Sequence, residues 1–209
     1  MQNKKCKICR RLNQKVFLKG ERCFSPKCSM IKRPFPPGMK KKRGFSKLSE
    51  YGKELAEKQK LKKYYGLSEK QFSGYVKDVL RKRGGNEDAS LALVKQLETR
   101  LDNVVFCLGL AKSRREARVF VSHNHFLVNG KQVNIPSFAV KNKDKVSVKE
   151  SKKNKTNFKG LALTLKNYQT PQWLKIDKEK LEGEVIGEPV LESMQSSVDI
   201  SAIFEFYSR

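Results

Sequence analysis

Residues 113–133, SRREARVFVSHNHFLVNGKQV, decide the fold. Ser113 and Glu116 form an S-x-x-E pair, the signature of a capping box, and predict a helix running through Val121. Ala117, Phe120 and Val121 fall on its inward side. Arg114, Arg115 and Arg118, at i, i+1 and i+4, share another face. A few residues on, FLVNGKQV (126–133) alternates apolar and polar residues about Asn129-Gly130, the preferred pair for a type I′ turn. A helix delivered straight into a hairpin predicts a small α/β module. Lys112 and Ser113 add donors beside the helix N-terminus, whose unpaired N–H groups favour an anion, so the arginine face reads as a phosphate-contacting surface.

Working outward, KVSVKE (145–150) and LALTL (161–165) are strand candidates joined by a basic loop, SKKNKTN. Upstream, a helical run begins near Asp88, and a continuing one carries Leu97, Leu101, Val104, Val105 and Leu108 and stops at Gly109. Residues 48–66 read as a helix with Leu48, Tyr51, Leu55 and Lys62 on one stripe. Ser68 and Gln71 then cap a second helix with Phe72, Tyr75, Val76, Val79 and Leu80 on its apolar face, ending at Gly84-Gly85. The chain closes with VDISAIFEFYSR, where Ile200, Ile203, Phe204 and Tyr207 again predict a helix. That helix needs an apolar surface, and the N-terminal helical region is the obvious one, making that region discontinuous in sequence.

At the other end lies CKICRRLNQKVFLKGERCFSPKC (6–28). Cys6, Cys9, Cys23 and Cys28 are spaced C-x2-C-x13-C-x4-C, two close pairs bracketing a loop. Such pairs converge on one tetrahedral metal, each thiolate about 2.3 Å from zinc. Two disulfides are the alternative, disfavoured in a reducing compartment, and iron also occupies four-thiolate sites. Four protein ligands leave no position for a catalytic water, so the expected role is structural. Ile8, Leu12, Val16, Phe17, Leu18 and Phe24 are too few to build a core unaided, which leaves the metal to supply folding free energy. Arg10, Arg11, Lys19, Arg22 and Lys27 would then stand on a rigid knob suited to phosphates. MIKRPFPPGMKKKRGFSK (30–47) follows, its prolines and glycines excluding helix and strand, and its Lys32, Arg33, Lys40, Lys41, Lys42, Arg43 and Lys47 repelling one another in water. It reads as an extended arm that orders on RNA.

The charge supports a polyanion partner. Lys and Arg outnumber Asp and Glu by 46 to 21 in 209 residues, a formal net charge of +25. Each cation set against a phosphate releases condensed counterions, whereas an ordinary soluble surface mixes both signs. The balance reverses along the chain: residues 1–50 hold 16 basic and 2 acidic side chains, residues 176–209 hold 3 basic and 8 acidic. The acidic tail should face away from nucleic acid, toward a basic protein neighbour. MQNKK runs straight into the first cysteine with no sign of a signal peptide, and the longest apolar stretch, VVFCLGLA (104–111), falls far short of a membrane span. The expected setting is the cytoplasm, with no membrane partner.

These stretches together resemble one family. LKGERCFSPKCSM, RPFPPG, EKQKLKKYYGLSEKQF, ETRLDNVVFCLGLAKSRREARVFVSHNHFLVNGKQV, the P-x-W-L at Pro171–Leu174 and the closing EFYSR follow, in order, the bacterial-type family of small-subunit ribosomal protein four. The cysteine spacing is similar to that of members that keep a zinc site. The resemblance implies a primary binder of small-subunit ribosomal RNA, seated on a multi-helix junction of the 5′ domain early in assembly. It also implies a place lining the mRNA entrance with ribosomal proteins three and five, the acidic tail meeting protein five, and a bacterial or organellar ribosome. Its RNA-binding module corresponds to Arg100–Val133, with Arg100, Lys112, Ser113, Arg114, Arg115, Arg118 and Lys131 as implied RNA contacts. The chain departs from the family in its short lead to Cys6 and in placing Met39-Lys40-Lys41-Lys42 where many members carry a histidine-bearing turn.

The expected fold class is therefore α+β. A zinc knuckle and basic arm span 1–45, and a helical domain spans 46–97. An inserted α/β RNA-binding module with a small antiparallel sheet spans 98–171, and an acidic segment (172–209) supplies the helix that completes the helical domain. Two rivals compete. The same module is attached to pseudouridine synthases, and Arg100-Leu101-Asp102 matches their catalytic signature, but too few residues follow the module to enclose a flipped base. Asp102 reads instead as a structural partner to a nearby arginine or to a helix end. A zinc-dependent DNA regulator would need a recognition helix, and none is evident. His123-Asn124-His125 lacks nearby acidic ligands, Cys107 reads as a small apolar residue, and no catalytic set emerges. The chain is expected not to be an enzyme.

Overall fold

The computed structural model describes residues 3–38, 48–82, 88–153, 155, 158, 161, 165, 168–191 and 198–208. Two compact units divide the chain, one of Met1–Ser90 with Ser196–Arg209, the other of Leu91–Gln195.

In the first unit, α1 (Asn3–Leu12), a 3-10 turn (Gly20–Cys23) and a one-turn helix α2 (Ser29–Lys32) build the cysteine-bearing segment. The helical turn reaches into the stretch read as neither helix nor strand, because the first proline comes only at Pro34. Longer helices follow, α3 (Glu50–Tyr64) and α4 (Glu69–Arg81). The Ser49 hydroxyl accepts from Gly52 N to cap α3, and Ser68 and Gln71 close a full capping box on α4. On α4 the buried face is Phe72, Val76 and Val79, in the expected phase. On α3 the expected stripe is displaced. Of it, Lys62 is buried and Leu55 half-buried, but Leu48 and Tyr51 are exposed, and Glu54, Lys58, Leu61 and Tyr64 are buried instead. A helix this rich in lysine buries aliphatic stems beneath charged heads, which an apolar-residue pattern misses.

The terminal helix (Ile200–Ser208) lies against α3 and α4, burying Ile200, Ile203 and Phe204. A polar latch joins the three. Lys58 and Lys62 pair with Glu69, the Tyr207 hydroxyl donates to Glu69 Oε1 at 2.8 Å, and Lys58 Nζ sits 4.2 Å from the Phe206 ring centre. Partial burial alone would raise the Glu69 carboxyl, but the two ammoniums and the phenol outweigh it and hold it at about 2. A carboxyl lowered on folding stabilises above its ordinary value of 4.5 and stops doing so as pH falls through the folded value. The latch should therefore hold at pH 4.5 and release toward pH 2. Limited pepsin digestion checks this: cleavage within 200–208 should rise across that window. Glu69→Gln should be cut as readily at the upper pH as at the lower, and a variant that keeps the wild-type profile would clear Glu69 of the role.

The second unit is a helix pair on a five-stranded antiparallel sheet. It holds α5 (Ala89–Glu98, entering from the first unit), α6 (Leu101–Cys107), α7 (Arg114–Ser122), β1 (Phe126–Val128), β2 (Lys131–Gln132), β3 (Lys145–Val148), a helical turn α8 (Glu150–Lys153), β4 (Leu174–Asp177) and β5 (Glu182–Val185). The strand order is β2-β1-β3-β5-β4. Asn129 (φ 50) and Gly130 (φ 78) make the expected two-residue turn, with Val128 opposite Lys131. The core joins Leu101, Val104, Val105 and Leu108 of α6 and Ala117, Phe120 and Val121 of α7 to Phe126, Val146, Val148, Leu174 and Val185 of the sheet.

Three expectations for this unit are corrected. The helical run through Leu97 and Leu101 is broken at Thr99-Arg100, because residues 136–140 pair with that backbone. Leu101 N donates to Phe138 O at 2.8 Å, Asp102 N to Pro136 O at 3.2 Å, and Val140 N to Thr99 O at 2.9 Å. LALTL is not a strand at its described positions: Leu161 and Leu165, one turn apart, are helical and both face the core. A short apolar run fits either period, and here the i, i+4 spacing wins. The remaining strands come instead from 174–185, so the sheet crosses the expected boundary at residues 171 and 172. Lys145 lies opposite Glu184 and Ser147 opposite Glu182, which gives part of the acid-rich segment a cross-strand partner. Close approach makes this possible, since a Cβ at Gly183 would lie 2.5 Å from Leu108 Cδ2.

Candidate nucleic-acid interface and cysteine knuckle

On the second unit, α7 presents the arginine face. The Ser113 hydroxyl accepts from Glu116 N, but the Glu116 carboxylate accepts from Lys112 N at 2.8 Å, one residue before the cap, so only half of the predicted capping box forms. Ser113 is thereby buried as a helix cap. Arg115, Lys112 and Lys131 are exposed. Arg114 and Arg118 are half-buried and anchored from behind.

The anchors are two buried polar chains that periodicity does not reveal. In one, Asn103 Nδ2 donates to Glu98 Oε2 at 2.7 Å, and Asn103 Oδ1 accepts from Arg114 Nε at 2.7 Å. Both ends of the amide are spent, so it has one orientation, and the Arg114 guanidinium is also held 4.4 Å over the Phe106 ring. In the other, Arg100, only 1% exposed, donates through Nε and Nη2 to the two oxygens of Asp102 at 3.1 and 2.8 Å. Arg118 Nη1 lies 4.0 Å from the same carboxylate. Arg100 is thus no surface contact but a buried positioning residue. The sequence signal for it was the R-x-D spacing beside an otherwise apolar helix face.

The same pairing bears on the catalytic rival, because Asp102 is buried and both its oxygens are engaged by Arg100. Cys107 packs in the interior as expected, with Sγ 3.9 Å from Glu98 Oε2; burial and that neighbouring carboxylate push its thiol up to about 12. His125 is stacked on Phe120 and meets Phe158 edge-on, and burial with the nearby Lys155, Lys152 and His123 lowers its pKa.

On the first unit, α1 sets Cys6 and Cys9 one turn apart, Cys23 ends the 3-10 turn, and Cys28 precedes α2. All four line one pocket, together with Lys19 and Ser29. None of the four is joined in a disulfide. Among the described residues, no group of three or more histidine, cysteine or acidic side chains is arranged to hold a metal ion. Burial and the charges of the neighbouring cysteines raise the Cys9 and Cys23 thiols. Burial acts the same way on Cys6, but the Ser29 hydrogen bond and the Lys19 and Arg22 charges outweigh it and lower that thiol.

Around this pocket Arg11, Arg22, Lys27, Lys32 and Arg33 are exposed, and Lys19 is half-buried at the pocket wall. Arg10 donates from Nε to Phe35 O at 2.7 Å, tying α1 to the proline-rich stretch. Phe24 is not part of a core here but is 74% exposed. Lys40, Lys41, Lys42, Arg43 and Lys47, with the second half of the expected basic arm, lie outside the described residues. None of the described helices is long and apolar enough to cross a membrane.

Comparison with known proteins adds to this geometry. The family model "Ribosomal protein S4/S9 N-terminal domain" matches residues 1–97, and the "S4 domain" model matches residues 99–146. Small ribosomal subunit protein uS4A of Bdellovibrio bacteriovorus is 48% identical over 206 residues, covering 98% of this chain and 96% of that protein. Small ribosomal subunit protein uS4 of Kosmotoga olearia is 45% identical over 204 residues, with the same coverage. The uS4A protein of Alkaliphilus metalliredigens is 47% identical over 206 residues.

Proposed function

The chain belongs to the ribosomal protein S4 family, structural and non-catalytic constituents of the small ribosomal subunit that bind ribosomal RNA, and we propose that it is a primary binder in which two basic surfaces grip the 5′ domain early in assembly. The observation that carries this is identity of nearly half the residues across 98% of the chain, cysteine segment and arginine helix included. In the module, Arg115 and Lys112 face outward beside Arg114 and Arg118, whose guanidiniums are aimed by Asn103 and Asp102. Preset arginines lose less side-chain freedom on meeting a phosphate than floppy ones.

Zinc is the structural cofactor of the knuckle in this reading, held by Cys6, Cys9, Cys23 and Cys28. Support comes from the ligand spacing, from four thiols lining one pocket, and from the cost of placing them together, which a divalent cation would offset. The metal would fold the segment and present Arg22 and Lys27 rigidly. The acidic positions near the C-terminus suit a basic neighbour, for which ribosomal protein five is proposed. Ribosomal protein three and passing mRNA complete the surroundings at the mRNA entrance, where the protein would influence translational accuracy. Its setting is the small subunit of a bacterial-type ribosome in the cytoplasm.

The test is a salt titration of binding to a transcript of the 5′ domain of a bacterial small-subunit ribosomal RNA. Arg115→Ala with Arg118→Ala should weaken binding and reduce the slope of log K against log salt by about one to two units. An unchanged slope would remove the arginine face from the phosphate contacts.

A further inference from the structure

We propose that Phe24 is a stacking platform for one unpaired nucleobase, a site distinct in chemistry from the phosphate contacts around it and resting on the RNA-binding reading of the knuckle. Phe24 is the most exposed of the large apolar side chains among the described residues, at 74%. Leaving a phenylalanine in water forgoes roughly 1.5–3 kcal/mol that burial would supply. The residue is nonetheless held still. Its backbone caps the 3-10 turn, donating from N to Glu21 O at 3.1 Å. Its ring lies on Phe17, centres 4.8 Å apart and planes at 23°. Phe17 itself takes a positive φ of 50, a conformation that costs a bulky residue energy and persists only where its surroundings impose it. One face of the pair is thus backed by a second ring, and the other is presented to solvent.

The occupant follows from the charge. Arg22 and Lys27, on either side of Phe24 in sequence, are exposed, and Glu21 is the only acid between residues 1 and 49. A ligand with a flat aromatic face and flanking anions matches that setting, and a nucleotide in a single-stranded loop or bulge has both. A membrane would ask for a broader apolar face, and a basic protein would be repelled.

Binding of the full chain, loaded with its metal, to the 5′-domain transcript tests this with three variants. Phe24→Ala should weaken binding about five- to a hundredfold, the range for loss of one base–aromatic stack, without changing the salt slope. Phe24→Trp should bind within a few-fold of wild type, and the fluorescence of its added indole should be quenched by the RNA. Phe24→Leu, apolar but without a π-face, should resemble alanine. Wild-type affinity in Phe24→Ala, full affinity in Phe24→Leu, or an unquenched indole in Phe24→Trp would each overturn the stack. So would an alanine variant that binds RNA normally but loses affinity for a small-subunit ribosomal protein. Failure of the wild-type chain itself to bind the transcript would instead strike the ribosomal RNA reading.

Discussion

Asp102→Ala should destabilise the second unit by about 3–5 kcal/mol, because it leaves the Arg100 guanidinium charged, buried and without the carboxylate that both its Nε and Nη2 address. For a unit of this size the midpoint of thermal unfolding should fall by on the order of 10–25 °C. The reverse design separates pairing from burial. Arg100→Met with Asp102→Leu removes both charges, and isosteric apolar replacement of a buried pair is often neutral or better. The double variant should melt within a few degrees of wild type, yet lose RNA affinity because Arg118 no longer has Asp102 beside it. Circular dichroism melts and the binding titration read the two effects. A mild Asp102→Ala, below about 1 kcal/mol, would mean that water reaches Arg100 and that the interior site is not sealed.

Cys9→Ser, or Cys23→Ser, should abolish metal binding and unfold the knuckle while the module stays intact. A structural zinc site contributes about 10–16 kcal/mol of apparent binding free energy in small zinc modules, far more than the few apolar side chains of residues 3–33 supply. Elemental analysis should find one zinc per wild-type chain and none in the variants; iron would instead colour the protein. Hydrogen exchange should show protection lost in α1 and the 3-10 turn but kept in α6 and α7, since the two units have separate cores. A chelator should reproduce the pattern. A metal-free wild-type protein with a protected α1 would refute the zinc proposal, and equal loss of protection in both units would refute their independence. Because Phe24 sits on the same turn as Cys23, removing the metal should also cost the RNA affinity ascribed to stacking.

Much of the site was legible in the residues because its signals are local. Ser68 with Gln71, and Ser113 with Glu116, mark helix starts through contacts three residues apart. Asn129-Gly130 marks a turn through its own backbone preference, and the four cysteines, spaced as two close pairs, line one pocket. The residues read as RNA contacts divide by burial. Arg115, Lys112 and Lys131 are at the surface, but Arg100 and Ser113 are spent inside, and Arg10 is tied to Phe35 O. Glu98 and Asn103, which aim Arg114, went unmarked, since a polar residue with a buried partner looks on paper like one facing water.

Short-range preferences were therefore sufficient for where most helices begin and for the hairpin, because each depends on atoms a turn or less apart, while the family showed in the order of stretches along the whole chain. Contacts between residues far apart in the chain decided everything else. The pull of 136–140 breaks the helix at Arg100, the 174–185 hairpin completes the sheet, and terminal rings cover Lys58. Whether an arginine or a phenylalanine meets solvent is settled by what packs over it. Composition carries no record of that neighbour until the chain has folded back upon itself.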